Sequence, residues 1–149
     1  MATFTGKFIE VTAVKEIETL AEMSAKLQVV FPDWQPAGLR AEQVTVVEFK
    51  FATADGKLPQ PNVGEAAAEF AKWVRDAVET GELDTTQGII FSGVMIGHIS
   101  FALGEASHIF PWAGTYEPRI NGAYIGHVHG APHSAGEVVF LPAPEQVKS

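Results

Sequence analysis

The sequence of 149 residues is 46% hydrophobic, which is enough apolar material for one ordinary core and too short for two. It contains no cysteine, so disulfides and thiolate metal sites are excluded. A formal net charge of −8 argues against a general DNA or RNA binder, because such proteins neutralise phosphates with clustered Lys and Arg. No stretch has the length of a signal-peptide core or a membrane span, so we expect a cytoplasmic protein without a membrane or DNA partner.

Residues 1–40 are predicted to form a strand, a helix and a loop that extend the rest of a single domain. Partial alternation and β-branched residues from Phe4 to Val14 predict the strand. Apolar residues then recur at helical spacing from Ile17 to Leu27. Prolines and a glycine between Phe31 and Arg40 interrupt any period and indicate a loop.

Strands and helices alternate along the predicted core, residues 41–142, and a tail follows at 143–149. The patterns predict strands at 47–51, 88–91, 113–116, 123–129 and 137–141, and helices at 65–80 and 96–107. Gly81 is placed for a helix C-terminal cap, and Asn121-Gly122 is a strong hairpin signal. A strand, a Ser-Gly turn, a helix and a strand form a βαβ unit. The predicted class is therefore α/β (α+β), with a mixed sheet, a parallel core pair and helices packed against it.

Ligands of such sheets bind beyond the carboxyl ends of the strands, where the sequence places Ser92, Gly93 and the segment from Tyr116 to Arg119. Arg119 follows a strand end and a proline, which orients its guanidinium toward a phosphate. The alternative is an ion pair with Glu117. Glu117 itself can accept a proton, ligate a divalent cation or orient Arg119.

Histidines form a second group of candidate residues. His108 ends a predicted helix, where the helix dipole favours an imidazolium, and it could serve as an acid or as a plain C-terminal cap. His127 and His129 occupy one face of a predicted strand, and His133 follows in a loop. This HxHxxxH spacing permits a metal site without being specific for one.

The chain resembles the small CRISPR-associated ring nucleases of type III systems, in particular the manganese-dependent branch with a Tyr-Asp-Pro-Arg signature. The resemblance is carried by the segment GIIFSG at 88–93, a helix that ends in His108, and the segment PWAGTYEPR at 111–119. It continues through a strand that ends at His129 and covers roughly the last two thirds of the chain.

The resemblance implies a ferredoxin-like α/β fold, a homodimer or homotetramer, and degradation of cyclic tetra-adenylate, the second messenger of these antiviral systems. By position, His108, Glu117 and Arg119 match the family's functional His, Asp and Arg. Ser92, Gly93, Tyr116 and His129 are the implied ligand-binding residues. The implied cofactor is Mn²⁺, for which Glu117, His127 and His129 are the candidate ligands.

Two departures from the family pattern bear on activity. The family places an arginine after Ser-Gly, whereas this chain has Val94, and Glu117 replaces the family's Asp. They motivate a second hypothesis, a non-catalytic sensor or sponge that binds cyclic oligoadenylate. A third, which the resemblance also permits, is a manganese-dependent exonuclease that acts on RNA 3′ ends.

Overall fold

A computed structural model describes residues 4–34, 41–130 and 132–143, which contain seven strands and three α-helices. The strands are β1 (Phe4–Thr5), β2 (Ile9–Glu18), β3 (Gln43–Phe51), β4 (Gly88–Ser92), β5 (Trp112–Glu117), β6 (Gly122–Val128) and β7 (Val138–Phe140). The helices are α1 (Ala21–Val30), α2 (Val63–Thr80) and α3 (Gly97–Ala106), and a 3₁₀ turn at Gln60–Asn62 leads into α2.

All seven strands form one mixed sheet whose spatial order follows the chain. The pairs β3–β4 and β4–β5 are parallel, and the four remaining pairs are antiparallel. This confirms the predicted α/β class with a mixed sheet. The connectivity differs from the split βαβ arrangement of a ferredoxin-like topology, because the parallel strands that a helix connects are direct neighbours here, with no strand between them.

Helices α2 and α3 cover the same face of the sheet. Each connects two neighbouring parallel strands, and the strand order advances in one direction, so right-handed crossovers place both helices on one side. The apolar face of α2 contributes Phe70, Trp73 and Val74 to the core beneath them, and α3 contributes Ile99 and Leu103. The helix predicted at 65–80 and its glycine cap are confirmed.

A second core lies on the other face of the sheet and contains buried side chains from β3 to β7. Its members are Val44, Val46, Ile90, Trp112, Ala123, Ile125, Val139 and Leu141. Just beyond β2, the N–H of Leu20 donates to the carbonyl of Phe140 in β7 at 2.8 Å. The end of β2 therefore lies beside β7, although five strand pairs separate them in the sheet. The sheet curls around the second core.

The beginning of the chain differs from its prediction. Ile17 belongs to β2 and pairs with Val44, and the helix starts only at Ala21. β2 pairs with β3 along its whole length, so this part of the predicted extension is an integral strand of the sheet. The predicted loop from Phe31 is described as far as residue 34, and residues 35–40 and 144–149 lie outside the described residues.

None of the helices in the described ranges combines the length and apolar character needed to cross a bilayer.

Candidate functional site

The antiparallel hairpin of β5 and β6 carries most of the candidate residues, and its ladder contains a bulge. Ala113 pairs with His127, whereas the next residue of β5 pairs with Ile125. Gly126 is therefore an extra residue on β6. A bulge shifts the alternation of side chains by one position. As a result Tyr124 and His127, three positions apart, line one cavity.

Three histidine rings cluster at the open end of this hairpin. The ring centroids of His108 and His127 are 4.3 Å apart, and those of His127 and His129 are 6.4 Å apart. His108 and His129 are separated by 6.1 Å. Helix α3 runs back along β5 from the carboxyl ends of the parallel strands, which brings His108 beside β6. The structure thus brings together three of the predicted site residues.

His127 is the least solvated member of this histidine cluster. Its Nε2 atom is buried and has no hydrogen-bond partner among the described residues. Burial lowers the pKa of His127 below its ordinary value, and the nearby rings of His108 and His129 lower the pKa further. His127 is therefore held in its neutral form at neutral pH, with one ring nitrogen able to accept a proton.

A cavity of about 450 Å³ opens beside the histidine cluster, between α3 and the β5–β6 hairpin. Apolar and aromatic side chains form much of its wall, including Phe91, Phe101 and Tyr124. His108 and His127 line one end of it. Cavities of this size with few polar groups commonly bind small organic molecules.

The turn between β5 and β6 holds Glu117 and Arg119 as an ion pair. The guanidinium donates from Nε to Oε1 at 2.8 Å and from Nη2 to Oε2 at 3.2 Å. These bonds lower the pKa of Glu117 and raise that of Arg119. The Arg119 side chain is 85% exposed, which leaves its remaining N–H groups accessible to an anion. The predicted ion pair is confirmed.

Tyr116 stabilises this turn and does not face the cavity. Its hydroxyl donates to Oδ1 of Asn121 at 2.6 Å, and the amide of Asn121 donates to the carbonyls of Leu141 and Pro142. The ring packs against the second core. Asn121 has a φ of 46°, a left-handed conformation that asparagine tolerates better than most residues. The structure gives Tyr116 a supporting role in the turn, and its contact with a ligand stays a prediction.

The histidine cluster and the ion pair lie at opposite ends of the hairpin. Glu117 pairs with Gly122 and Ala113 with His127, four residues apart on β5. At about 3.3 Å per residue, the two ends are separated by roughly 13 Å. Tyr124 lies between them, because it lines the cavity and pairs with Thr115, midway along β5 from Ala113 to Glu117. The two groups share one face of the hairpin without sharing a cavity.

Ser92 and Gly93 lie at the carboxyl end of β4. The parallel register pairs Phe91 with Thr115, so Ser92 ends its strand beside the end of β5, at the same edge as Glu117. A Cβ atom on Gly93 would approach the Phe49 carbonyl oxygen to 2.6 Å, which requires glycine here. The Ser-Gly turn is at the predicted edge, distant from the histidine cluster.

The predicted metal ligands do not fit a single ion within one protomer. Liganding atoms lie within about 2.3 Å of a transition-metal ion, whereas Glu117 is at the opposite end of the hairpin from His127 and His129 and is bound to Arg119. Within the described part of the chain, no three His, Asp or Glu side chains have an arrangement suited to a metal ion. Manganese stays a prediction from the resemblance.

His133 is not part of the histidine cluster. Its buried ring lies between two carboxylates, with Nε2 2.8 Å from Glu42 and Nδ1 3.2 Å from Glu137. These partners, Glu42 foremost, raise the pKa of His133. The ring also contacts Trp112. The HxHxxxH spacing therefore does not describe one site: His133 joins the start of β3 to the β6–β7 loop.

Sequence reasoning missed Phe101 and Tyr124 as residues of the candidate site. Phe101 is 84% exposed on α3, and Tyr124 is 41% exposed on β6. At both positions an aromatic ring is found on the solvent-facing side of its element, where a polar residue is usual. An exposed aromatic residue of this kind is the signal from which sequence reasoning could have found them.

No protein-family profile matches the sequence, and no curated protein matches it. The family resemblance therefore rests on the quoted motifs alone.

Proposed function

We propose that the protein cleaves phosphodiester bonds of cyclic oligoadenylates, with cyclic tetra-adenylate as its substrate. The observation that carries this proposal is the histidine cluster at the mouth of the cavity. It combines the neutral, desolvated imidazole of His127 with the exposed imidazoles of His108 and His129. The ring centroids of the three residues are at most 6.4 Å apart. Acid–base chemistry on an RNA-type phosphodiester needs this combination, because one group must accept a proton while another donates one.

In the proposed reaction ligand binding uncovers the buried Nε2 atom of His127, which then accepts the proton of a ribose 2′-hydroxyl. The freed oxygen attacks the neighbouring phosphorus in line, and the bond from phosphorus to the 5′-oxygen breaks. His108 donates a proton to that leaving oxygen, and His129 contacts the phosphate. The products are a 2′,3′-cyclic phosphate and a 5′-hydroxyl, so every atom and proton is accounted for. The lowered pKa of His127 supports its role as the base.

Arg119 is proposed to bind a different phosphate of the same ligand. A cyclic tetranucleotide has several phosphates and can contact both ends of the hairpin face, whereas a mononucleotide at the cluster is too short to span roughly 13 Å. In a symmetric homo-oligomer the Arg119 of another copy could also contact the ring. With few cations near the site, such an arrangement suits a protein of net charge −8.

The test is to incubate the protein with labelled cyclic tetra-adenylate, with and without Mn²⁺. We expect linear products that carry a 2′,3′-cyclic phosphate. Linear poly(A) serves as a parallel substrate, because shortening from its 3′ end would identify the exonuclease instead. Absence of turnover in every condition would refute the enzyme proposal.

One observation favours the non-catalytic alternative. Two of the Arg119 nitrogens already donate to Glu117, so the guanidinium offers fewer donors to a phosphate than a free arginine does. If calorimetry detects tight binding of cyclic tetra-adenylate and no product forms, the protein is a sensor or sponge.

A further inference from the structure

The cavity beside the histidine cluster differs from a phosphate site in its lining. Among the described residues that line it, none is a lysine or arginine. Its floor includes Gly114 and Gly126, and a Cβ on Gly114 would approach the Tyr124 carbonyl oxygen to 2.5 Å. The neighbouring strand therefore requires glycine at position 114, whereas a Cβ on Gly126 would meet nothing within 4 Å, so the backbone at Gly126 faces open space without a side chain.

Two aromatic rings lie at its rim, Phe101 from α3 and Tyr124 from β6. Both are exposed although large aromatic side chains are usually buried. Exposed rings beside a cavity that lacks lysine and arginine are an arrangement on which proteins can stack nucleobases. A neutral, planar group fits this cavity better than an anion does.

Hydrogen-bonding groups at the cavity favour a base with an exocyclic amine. Glu105 is the only carboxylate residue among the described residues that line it. An ionised carboxylate accepts hydrogen bonds and cannot donate them. It can pair with the amino group of adenine and repels the carbonyl oxygen that guanine has at the same position.

We infer that this cavity is an adenine subsite, in which the base stacks on Phe101 and Tyr124 while its sugar and phosphate extend to the histidine cluster. The inference rests on the proposed function for the identity of the whole ligand, but not for binding of the base. It explains how an acidic protein can hold an oligoadenylate through the base as well as through phosphate.

The experiment is calorimetric titration with 5′-AMP, 5′-GMP and inorganic phosphate, followed by cyclic tetra-adenylate. We expect 5′-AMP to bind, 5′-GMP to bind at least tenfold more weakly, and phosphate alone to bind weakest. Loss of one stacking ring should weaken binding roughly 5- to 100-fold, so Phe101→Ala and Tyr124→Ala are the test variants. Glu105→Gln should reduce the preference for 5′-AMP.

Phe31→Ala is the matched control, because Phe31 is a half-exposed phenylalanine that does not line the cavity. Equal binding of 5′-AMP and 5′-GMP, or unchanged affinity in both aromatic variants, would overturn the subsite. So would a change in oligomeric state of Phe101→Ala without a change in affinity, because the ring would then cover a second copy. Binding of 5′-AMP that depends on Phe101, without cleavage of any ligand, would support the subsite and refute the nuclease.

Discussion

Histidines occupy two contrasting environments in this protein. His133 is buried between Glu42 and Glu137, so both ring nitrogens have carboxylate partners and its pKa is raised. His127 is partly buried beside other histidines, with one nitrogen unpartnered among the described residues and its pKa lowered. A ring with both nitrogens bound is suited to holding segments together. A ring with a vacant nitrogen beside a cavity is suited to chemistry.

The largest expected effect distinguishes the histidine cluster from the other histidines by activity. His108→Ala should reduce cleavage of cyclic tetra-adenylate about 10²- to 10⁴-fold, the usual contribution of a general acid or base. The thermal midpoint should change little, because His108 is exposed. His98→Ala is the control, since His98 is exposed on the same helix and does not line the cavity. Equal losses in both variants would remove the distinction.

The next effect concerns stability at His133. His133→Ala should lower the free energy of unfolding by about 2 to 3 kcal/mol, because it leaves two part-buried carboxylates without their partner. For a chain of this size that corresponds to a fall in thermal midpoint of several degrees. Cleavage per folded molecule should be retained. An unchanged unfolding curve in urea would show that the ion pairs contribute nothing.

His133 and His127 should make the stability of the fold depend on pH in opposite directions. The folded pKa of His133 is raised, so its contribution is complete below the ordinary value near 6.5 and is lost as pH rises through the folded pKa. The folded pKa of His127 is lowered, so stability is lost as pH falls below 6.5. Thermal midpoints between pH 5 and 8 should decline at both ends.

Single substitutions test each limb of that pH profile. His133→Gln should flatten the decline on the alkaline side, and His127→Gln the decline on the acidic side. If either variant flattens the other limb, the pKa directions are misassigned.

The smallest effect is expected at the exposed ion pair. Arg119→Ala should weaken binding of cyclic tetra-adenylate severalfold and leave stability almost unchanged, because an exposed pair contributes little to folding. Glu117→Gln should strengthen binding, because it removes a competitor for the guanidinium. Calorimetry on both variants checks this, with Lys72→Ala as the control because it breaks another exposed ion pair. Weaker binding in Glu117→Gln would indicate that the carboxylate contacts the ligand or its cation.

Local patterns predicted much of the fold. The long apolar face of α2 and the glycine after it depend on near neighbours in the chain, and both are confirmed. Ile17 was assigned to a helix because apolar residues near it fit a period of 3.6 as well as an alternation. Pairing with Val44 decides in favour of the strand, and residues near Ile17 carry no sign of that distant contact.

The contacts of the candidate site also divide into contacts between near neighbours in the chain and contacts between distant residues. The ion pair of Glu117 and Arg119 joins residues two positions apart, so sequence sufficed to predict it. One carboxylate partner of His133 is Glu42, 91 positions away in the chain, and no spacing motif could indicate it. The contact of His108 with His127 depends on the return path of α3 and on the bulge at Gly126, which are tertiary features.

The most direct test of the central claim is to follow the imidazole signals of all five histidines by NMR while cyclic tetra-adenylate is added. We expect that the signals of His108, His127 and His129 shift together, while those of His98 and His133 stay in place. Shifts confined to His133, or no shift in the histidine cluster at a saturating ligand concentration, would contradict it.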